Sequence, residues 1–322
     1  MKILAIRLAR FGDIVLLLPA LSLLKARFPR SSLTFLTDQR WAPLAAMCPA
    51  IDEVVAIDRL GMRDGSLSNA VRGIHRVGKD VRARHFDVAI DFHGFRETSL
   101  IASWSGAPQR MGLRRFDQPY WGWCFNLPPV SEDKGIHVSD MFARISSAFQ
   151  PSVFSGSLPA SLVIPNEARE WAKQNLPSQP YVALYIDGPV KERIWPRERF
   201  AELARHIVER WGASVVVLSA KDHAWDGSGG DVRALFGLSI PHLAAGIGAA
   251  RMLVSNDTGP MHLGPALGVP TLGIFSVGVP QHFRPTGAHD VFLQGNPIGQ
   301  VETGQVIEAA HRLWRASVVS KN

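Results

Sequence analysis

Residues 255–271, SNDTGPMHLGPALGVPT, place Asp257, Thr258, Gly259 and His262 within six positions, just after a short apolar run. Leu253 and Val254 lead into the polar pair Ser255-Asn256, which ends a strand. Asp257 or Thr258 can then cap a helix, Gly259 frees the backbone, and Pro260 suits a first helical turn. Gly268 and Pro270 stop that helix after about two turns, and Thr271 to Phe275 resumes a buried strand. A helix that opens straight after a parallel strand aims its N–H groups at the carboxyl edge of the sheet, where open α/β sheets bind anions. Thr258, Gly259 and the following amides therefore read as a diphosphate cradle. The same unit also occurs for purely structural reasons. Asp257, whose carboxylate repels an anion, reads first as a cap that holds the loop. His262 can meet a phosphate or a sugar hydroxyl as an imidazolium, or simply pack in the core.

Four further stretches carry reactive side chains. Gly12-Asp13 follows the first apolar run, and by residue type alone Asp13 is a helix cap. Asp91-Phe92-His93-Gly94 ends a later run, so Asp13 and His93 can be delivered to one sheet edge. Lys191 and Arg193 lie in the loop DGPVKERIWP, residues 187–196, and Asp222 follows the apolar run Ser214 to Ser219.

The elements that must position these groups alternate strand and helix. Ile3 to Leu8 reads as strand one, Asp13 to about Phe28 as a helix with Leu17, Leu21 and Leu24 on one side, Ser32 to Thr37 as strand two, and Glu53 to Ile57 as strand three. Phe86 to Phe92 is another strand. This order predicts a doubly wound parallel sheet. Prolines and serines thicken from Gln150 to Pro180 around one helix, Asn166 to Asn175, placing a domain boundary near residue 160. A second set follows: strand Tyr181 to Ile186, helix Glu198 to Trp211, strand Ser214 to Ser219, a short helix at Arg233 to Phe236, a short segment from Ser239, and a last amphipathic helix from Gln305 to Ala316. No internal repeat longer than the βα unit is visible.

With 322 residues, 46% hydrophobic and 20% charged, the composition is that of a soluble two-domain enzyme. A net charge of +7 favours an anionic partner. Two distant cysteines, Cys48 and Cys124, argue against a disulfide framework or a zinc site and fit a reducing compartment. The apolar run Ile14 to Leu24 imitates a signal peptide, but Asp13 and Pro19 interrupt it, no small-residue cleavage site follows, and no run is long enough to span a bilayer. The basic segment Arg59 to Arg84 reads as a solvated helix face or as a docking surface for an anionic acceptor or acidic lipid heads. Arg114-Arg115, beside the aromatics of residues 116–123, reads as a packed loop or as a surface for sugar faces or a membrane interface.

Four motifs in order give the chain a resemblance to a known family. FGDIVLLLPAL (residues 11–21), DFHG with SGAPQRMG (91–94 and 105–112), RIWP leading to FAELA (193–196 and 200–204), and SNDTGPMHL with ALGVPT (255–263 and 266–271) together resemble the ADP-heptose:lipopolysaccharide heptosyltransferases, glycosyltransferase family 9. The last motif is the most specific of the four. The resemblance implies a GT-B architecture: two Rossmann-like domains with parallel sheets facing across a cleft, residues 1–160 for the acceptor and 161–304 for the nucleotide sugar. The helix of residues 305–322 would then pack back toward the first domain. It implies an inverting transfer of heptose from ADP-heptose to the anionic inner core of lipopolysaccharide, by a cytoplasmic enzyme peripheral to the inner membrane of a Gram-negative bacterium.

In that scheme Asp13 is the general base, and Arg193, Lys191, Asp257, Thr258, Gly259 and His262 meet the donor diphosphate. Asp222 would accept ribose hydroxyls, and Gly12, His93 and Arg96 would touch the acceptor. No cofactor and no metal are expected, since a helix N-terminus and cations replace Mg²⁺. The sequence departs from the family pattern where Arg193 replaces a lysine, where Asp187 replaces a small residue, and where His93 replaces a glutamine. The rival readings are a UDP- or GDP-sugar donor, an NAD-dependent dehydrogenase and a non-catalytic sugar-binding protein. The dehydrogenase is weakened because Arg10-Phe11-Gly12-Asp13 stands where Gly-x-Gly-x-x-Gly would. Nucleic acid is not an expected partner, because the basic residues are scattered and no nucleic-acid-binding module is recognisable.

Overall fold

The computed structural model describes residues 1–64, 67–149, 162–221, 225 and 230–319. The chain forms two units, Met1–Val163 and Ile164–Asn322, and the division is sharp. The Val163 N–H donates to the Met47 carbonyl at 2.8 Å in the first unit, while the Ile164 side chain lies over Gly248 in the second.

The first unit is a six-stranded parallel sheet: β1 (Lys2–Ile6), β2 (Ser32–Asp38), β3 (Glu53–Ile57), β4 (Val88–Asp91), β5 (Gln109–Arg114) and β6 (Val130–Ser131), in the order β3-β2-β1-β4-β5-β6. The second is a parallel sheet of β7 (Tyr181–Tyr185), β8 (Ser214–Leu218), β9 (Val232–Leu235), β10 (Met252–Asn256), β11 (Thr271–Phe275) and β12 (Val291–Gln294), in the order β12-β11-β10-β7-β8-β9. Counted within each unit, both orders are 3-2-1-4-5-6, the doubly wound order whose direction reverses between the first and fourth strands. The two sheets share a topology that the sequence does not betray as a repeat. Their central strands are apolar throughout because helices cover both faces: β7, β8, β10 and β11 have no exposed residue.

Several elements depart from the sequence expectations. The first helix runs Phe11–Arg27 with Pro19 inside it, and Asp13 lies in its first turn rather than opening it. The expected short helix at Arg233 to Phe236 is the edge strand β9. Val232, Ala234 and Phe236 pack on the core, which is a period of two and not a helical one. The segment from Ser239 is a helix, Ile240–Gly248, whose Ser239 side chain accepts from the His242 N–H. The two-turn helix after Thr258 is a 3₁₀ turn, Gly259–His262, followed by one α turn, Leu263–Ala266. Gly268, at φ +73°, ends it in a conformation that disfavours a side chain. The last helix, Thr303–Val319, buries Val306, Ala309, Ala310 and Leu313 in the core of the second unit, beside Trp195 and Phe200. Among the described residues no helix is long and apolar enough to cross a membrane.

Candidate active site

In the first unit β1 and β4 are neighbours, with Ile6 opposite Asp91, so the loops after them flank the point where the strand order reverses. Arg7 joins the two loops. Its Nη1 donates to the Phe92 carbonyl, its Nη2 lies 3.0 Å from Asp13 Oδ2, and its guanidinium stands 4.6 Å from the Phe142 ring centroid. The Arg7 side chain is 4% exposed and that of Asp13 17%. Asp13 is therefore a partly accessible carboxylate resting on a buried cation, and Gly12 beside it is half-buried. Arg10, immediately before this helix, has φ 31° and ψ 134°, a backbone conformation rarely adopted by residues other than glycine.

The loop after β4 is held by Asp91. Its Oδ1 accepts from the N–H groups of His93 and Gly94 at 2.9 and 3.1 Å, and its Oδ2 accepts from Thr98 and Ser99 hydroxyls at 3.0 and 3.4 Å. Burial pushes its pKa up to about 6, against the pull of these donors and of Arg7. His93 Nδ1 accepts from the Leu8 N–H at 3.3 Å, which assigns the proton of the neutral ring to Nε2. Burial, with the positive field of Arg7, Arg59 and Arg115, holds the His93 pKa well below its ordinary value. Nε2 has no hydrogen-bond partner among the described residues. His93 is thus a neutral donor, not an imidazolium. Arg96 is exposed at the start of the helix Arg96–Trp104, 5.8 Å from the Trp121 ring centroid.

In the second unit the corresponding edge lies beyond β7 and β10. Asn256, fully buried, ties it together: Oδ1 accepts from the Trp195 N–H at 3.0 Å, and Nδ2 donates to the carbonyls of Ile186 and Asp187 at 2.9 and 3.1 Å. Trp195 is sealed inside, its Nε1 donating to the Val301 carbonyl at 2.8 Å. The turn Lys191–Arg193 is pinned from the other side by the Ser276 hydroxyl, which donates to the Glu192 carbonyl. Arg193 Nη1 lies 3.1 Å from Asp257 Oδ2 as an ion pair without an aligned hydrogen bond. Burial raises the Asp257 pKa and Arg193 opposes the rise. Gly278 permits this pair, since a Cβ there would sit 2.0 Å from Asp257 Oδ2.

Asp257 does not cap the turn as expected. Thr258 holds the cap position without a side-chain hydrogen bond, and Asp257 faces Arg193 instead. Pro260 has no N–H and the Met261 N–H goes to the Thr258 carbonyl at 3.1 Å, so the donor capacity of the cradle lies in Thr258 and Gly259. His262 is buried and Lys191 exposed. Asp187 Oδ2 accepts from the Ser219 hydroxyl at 2.7 Å and the Ala220 N–H at 2.9 Å, so this departure from the pattern braces the loop after β8. Asp222 lies outside the described residues. Among the described residues no group of three or more His, Cys, Asp or Glu is placed to hold a metal ion.

Arg7 and Asn256 are the positioning groups that the sequence reading missed. A signal existed for each. An arginine interrupts the apolar run ILAIRLA and must be paired if buried, and a polar pair sits at the end of MLVSN in an otherwise buried strand.

Comparison with known proteins places this geometry. Residues 74–303 match the family described as glycosyltransferase family 9 (heptosyltransferase). Lipopolysaccharide heptosyltransferase 2 of Salmonella typhimurium is 24% identical over 315 residues, covering 90% of this chain and 86% of that one. Lipopolysaccharide heptosyltransferase 1 of Pseudomonas aeruginosa is 24% identical over 302 residues, covering 91% and 83%. Among solved structures, a family 9 glycosyl transferase from Veillonella parvula superposes with a TM-score of 0.83 at 24% identity, covering 98% of this chain and 97% of that one. The Escherichia coli heptosyltransferase WaaC with ADP gives 0.82 at 16% identity, covering 97% and 100%. The two parallel sheets are those of a GT-B glycosyltransferase, and the chain belongs to glycosyltransferase family 9, the heptosyltransferases.

Proposed function

We propose that the protein moves a heptose from ADP-heptose to the inner core of lipopolysaccharide with inversion at the anomeric carbon. The observation that carries the chemistry is Asp13: a part-exposed carboxylate at the head of the first helix, held against buried Arg7 at 3.0 Å. Asp13 takes the proton of the acceptor hydroxyl as that oxygen attacks. Gly12, His93 and Arg96 contact the acceptor. In the second unit Arg193, Lys191, His262 and the amides of Thr258 and Gly259 hold the diphosphate and take up the charge that develops on it. Asp257 holds Arg193 in place, and Asp222 receives the ribose. The reaction runs without a metal, at the cytoplasmic face of the inner membrane. The ADP donor is supported by the relatives solved with ADP and with an ADP-heptose analogue.

Thermal unfolding with ADP, UDP, GDP and NAD in turn tests the donor. A ligand at a hundred times its Kd adds about 2.7 kcal/mol, a shift of roughly 5–10 °C for a unit of this size. A shift with ADP alone supports the reading. A shift with UDP or GDP alone changes the donor, and NAD alone overturns glycosyl transfer.

A further inference from the structure

We propose that Arg7 is the positioning residue for Asp13: its buried guanidinium fixes the carboxylate through Oδ2, leaving Oδ1 to receive the acceptor's proton. This rests on the reading of Asp13 as the base. Three contacts from three elements immobilise the Arg7 head group: the Phe92 carbonyl at the end of β4, the face of Phe142 on the helix Val138–Phe149, and Asp13 on the helix Phe11–Arg27. Arg7 itself continues β1, its N–H donating to the Leu36 carbonyl at 3.0 Å. The carboxylate is thereby registered to the sheet edge and not to its own helix alone. Among the described residues Oδ1 carries no hydrogen bond or ion pair.

The step balances on that oxygen. The acceptor O–H bond breaks and its proton goes to Oδ1. The acceptor oxygen forms the bond to the anomeric carbon, and the bond from that carbon to the diphosphate oxygen breaks, its electron pair leaving with ADP.

The charged and titratable groups on the elements around Asp13 include Lys25 and Arg27 at the far end of its own helix, Arg10 just before it, Asp91 at the end of β4 and His93 after it, with Arg59 and Arg115 acting on His93. Asp140 and Arg144 lie on the helix Val138–Phe149, where Arg144 is held by Asp133 at 2.9 Å.

The experiment compares wild type, Arg7→Met, Arg7→Lys and Asp13→Asn for kcat and acceptor KM with ADP-heptose, and for ADP affinity. Arg7→Met is expected to lower kcat about 10²-fold while leaving the acceptor KM and the Kd of ADP within about twofold. Arg7→Lys keeps the charge but not the planar fork, so kcat falls about tenfold. Arg7→Met with an undiminished kcat overturns the proposal, even if its melting temperature drops. If Arg7→Met does not fold, Arg7→Lys at the full wild-type rate overturns it. Asp13→Asn distinguishes the two failures: wild-type turnover in that variant removes the base itself, whereas loss of turnover there with normal Arg7 variants removes Arg7 alone.

Discussion

Asp91 is a carboxylate with no exposure, set among four donors, and its titration can be followed through stability. With a folded pKa of about 6 against roughly 3.9 in an unfolded chain, the native state binds more protons between those values. The contribution of this group therefore favours the fold below about pH 4 and is lost as pH rises through 6, by roughly 3 kcal/mol in all. Denaturant unfolding of wild type and Asp91→Asn at several pH values should show wild type losing ground to the variant from pH 4 to pH 7; a constant gap would place the titration elsewhere. At the same scale, Asp13→Ala should retain ADP binding and lose about 10²–10⁴-fold in transfer. Asp13, His93, Arg193, Asp257, Thr258, Gly259 and His262 were all legible as candidates from motif and spacing. What was not legible was the set of partners. Arg7 meets the carbonyl of a residue 85 positions away, and no local pattern announces such a contact.

At the scale of elements, the loop after β7 owes its shape to Asn256 and Gly278 rather than to any helix of its own. Asn256→Ala strands the buried Trp195 N–H and two carbonyls, each orphan costing about 1–3 kcal/mol. The second unit should lose at least that much stability, measured by chemical denaturation. Gly278→Ala drives a methyl group into Asp257 Oδ2 and displaces the carboxylate from Arg193. ADP affinity, read by calorimetry, should fall about tenfold while Asp13 chemistry stays intact; an unchanged Kd would remove the pair from the donor site. The βα alternation was readable because buried parallel strands are continuous apolar runs. β9 was misjudged because an edge strand of four residues is too short for its period of two to stand out against a helical reading. β12, also an edge strand, offers the same weak signal.

At the scale of the whole molecule, charge and surface aromatics point outward from the first unit. Phe116 is 71% exposed and Trp123 67%, and Arg114 and Arg115 lie on the same stretch of chain. With a net charge of +7, the protein should associate with anionic vesicles more tightly as salt is lowered, in a sedimentation assay; equal binding to neutral vesicles would remove electrostatics as the cause. The division at Val163 and Ile164 gives each half its own sheet, with the same strand order on either side of it. Chimeras are the practical outcome. A protein joined at that peptide bond to the second half of a relative that uses a different nucleotide should inherit the relative's donor preference and keep its own acceptor. Glycan engineering could then treat the two specificities as separately exchangeable parts.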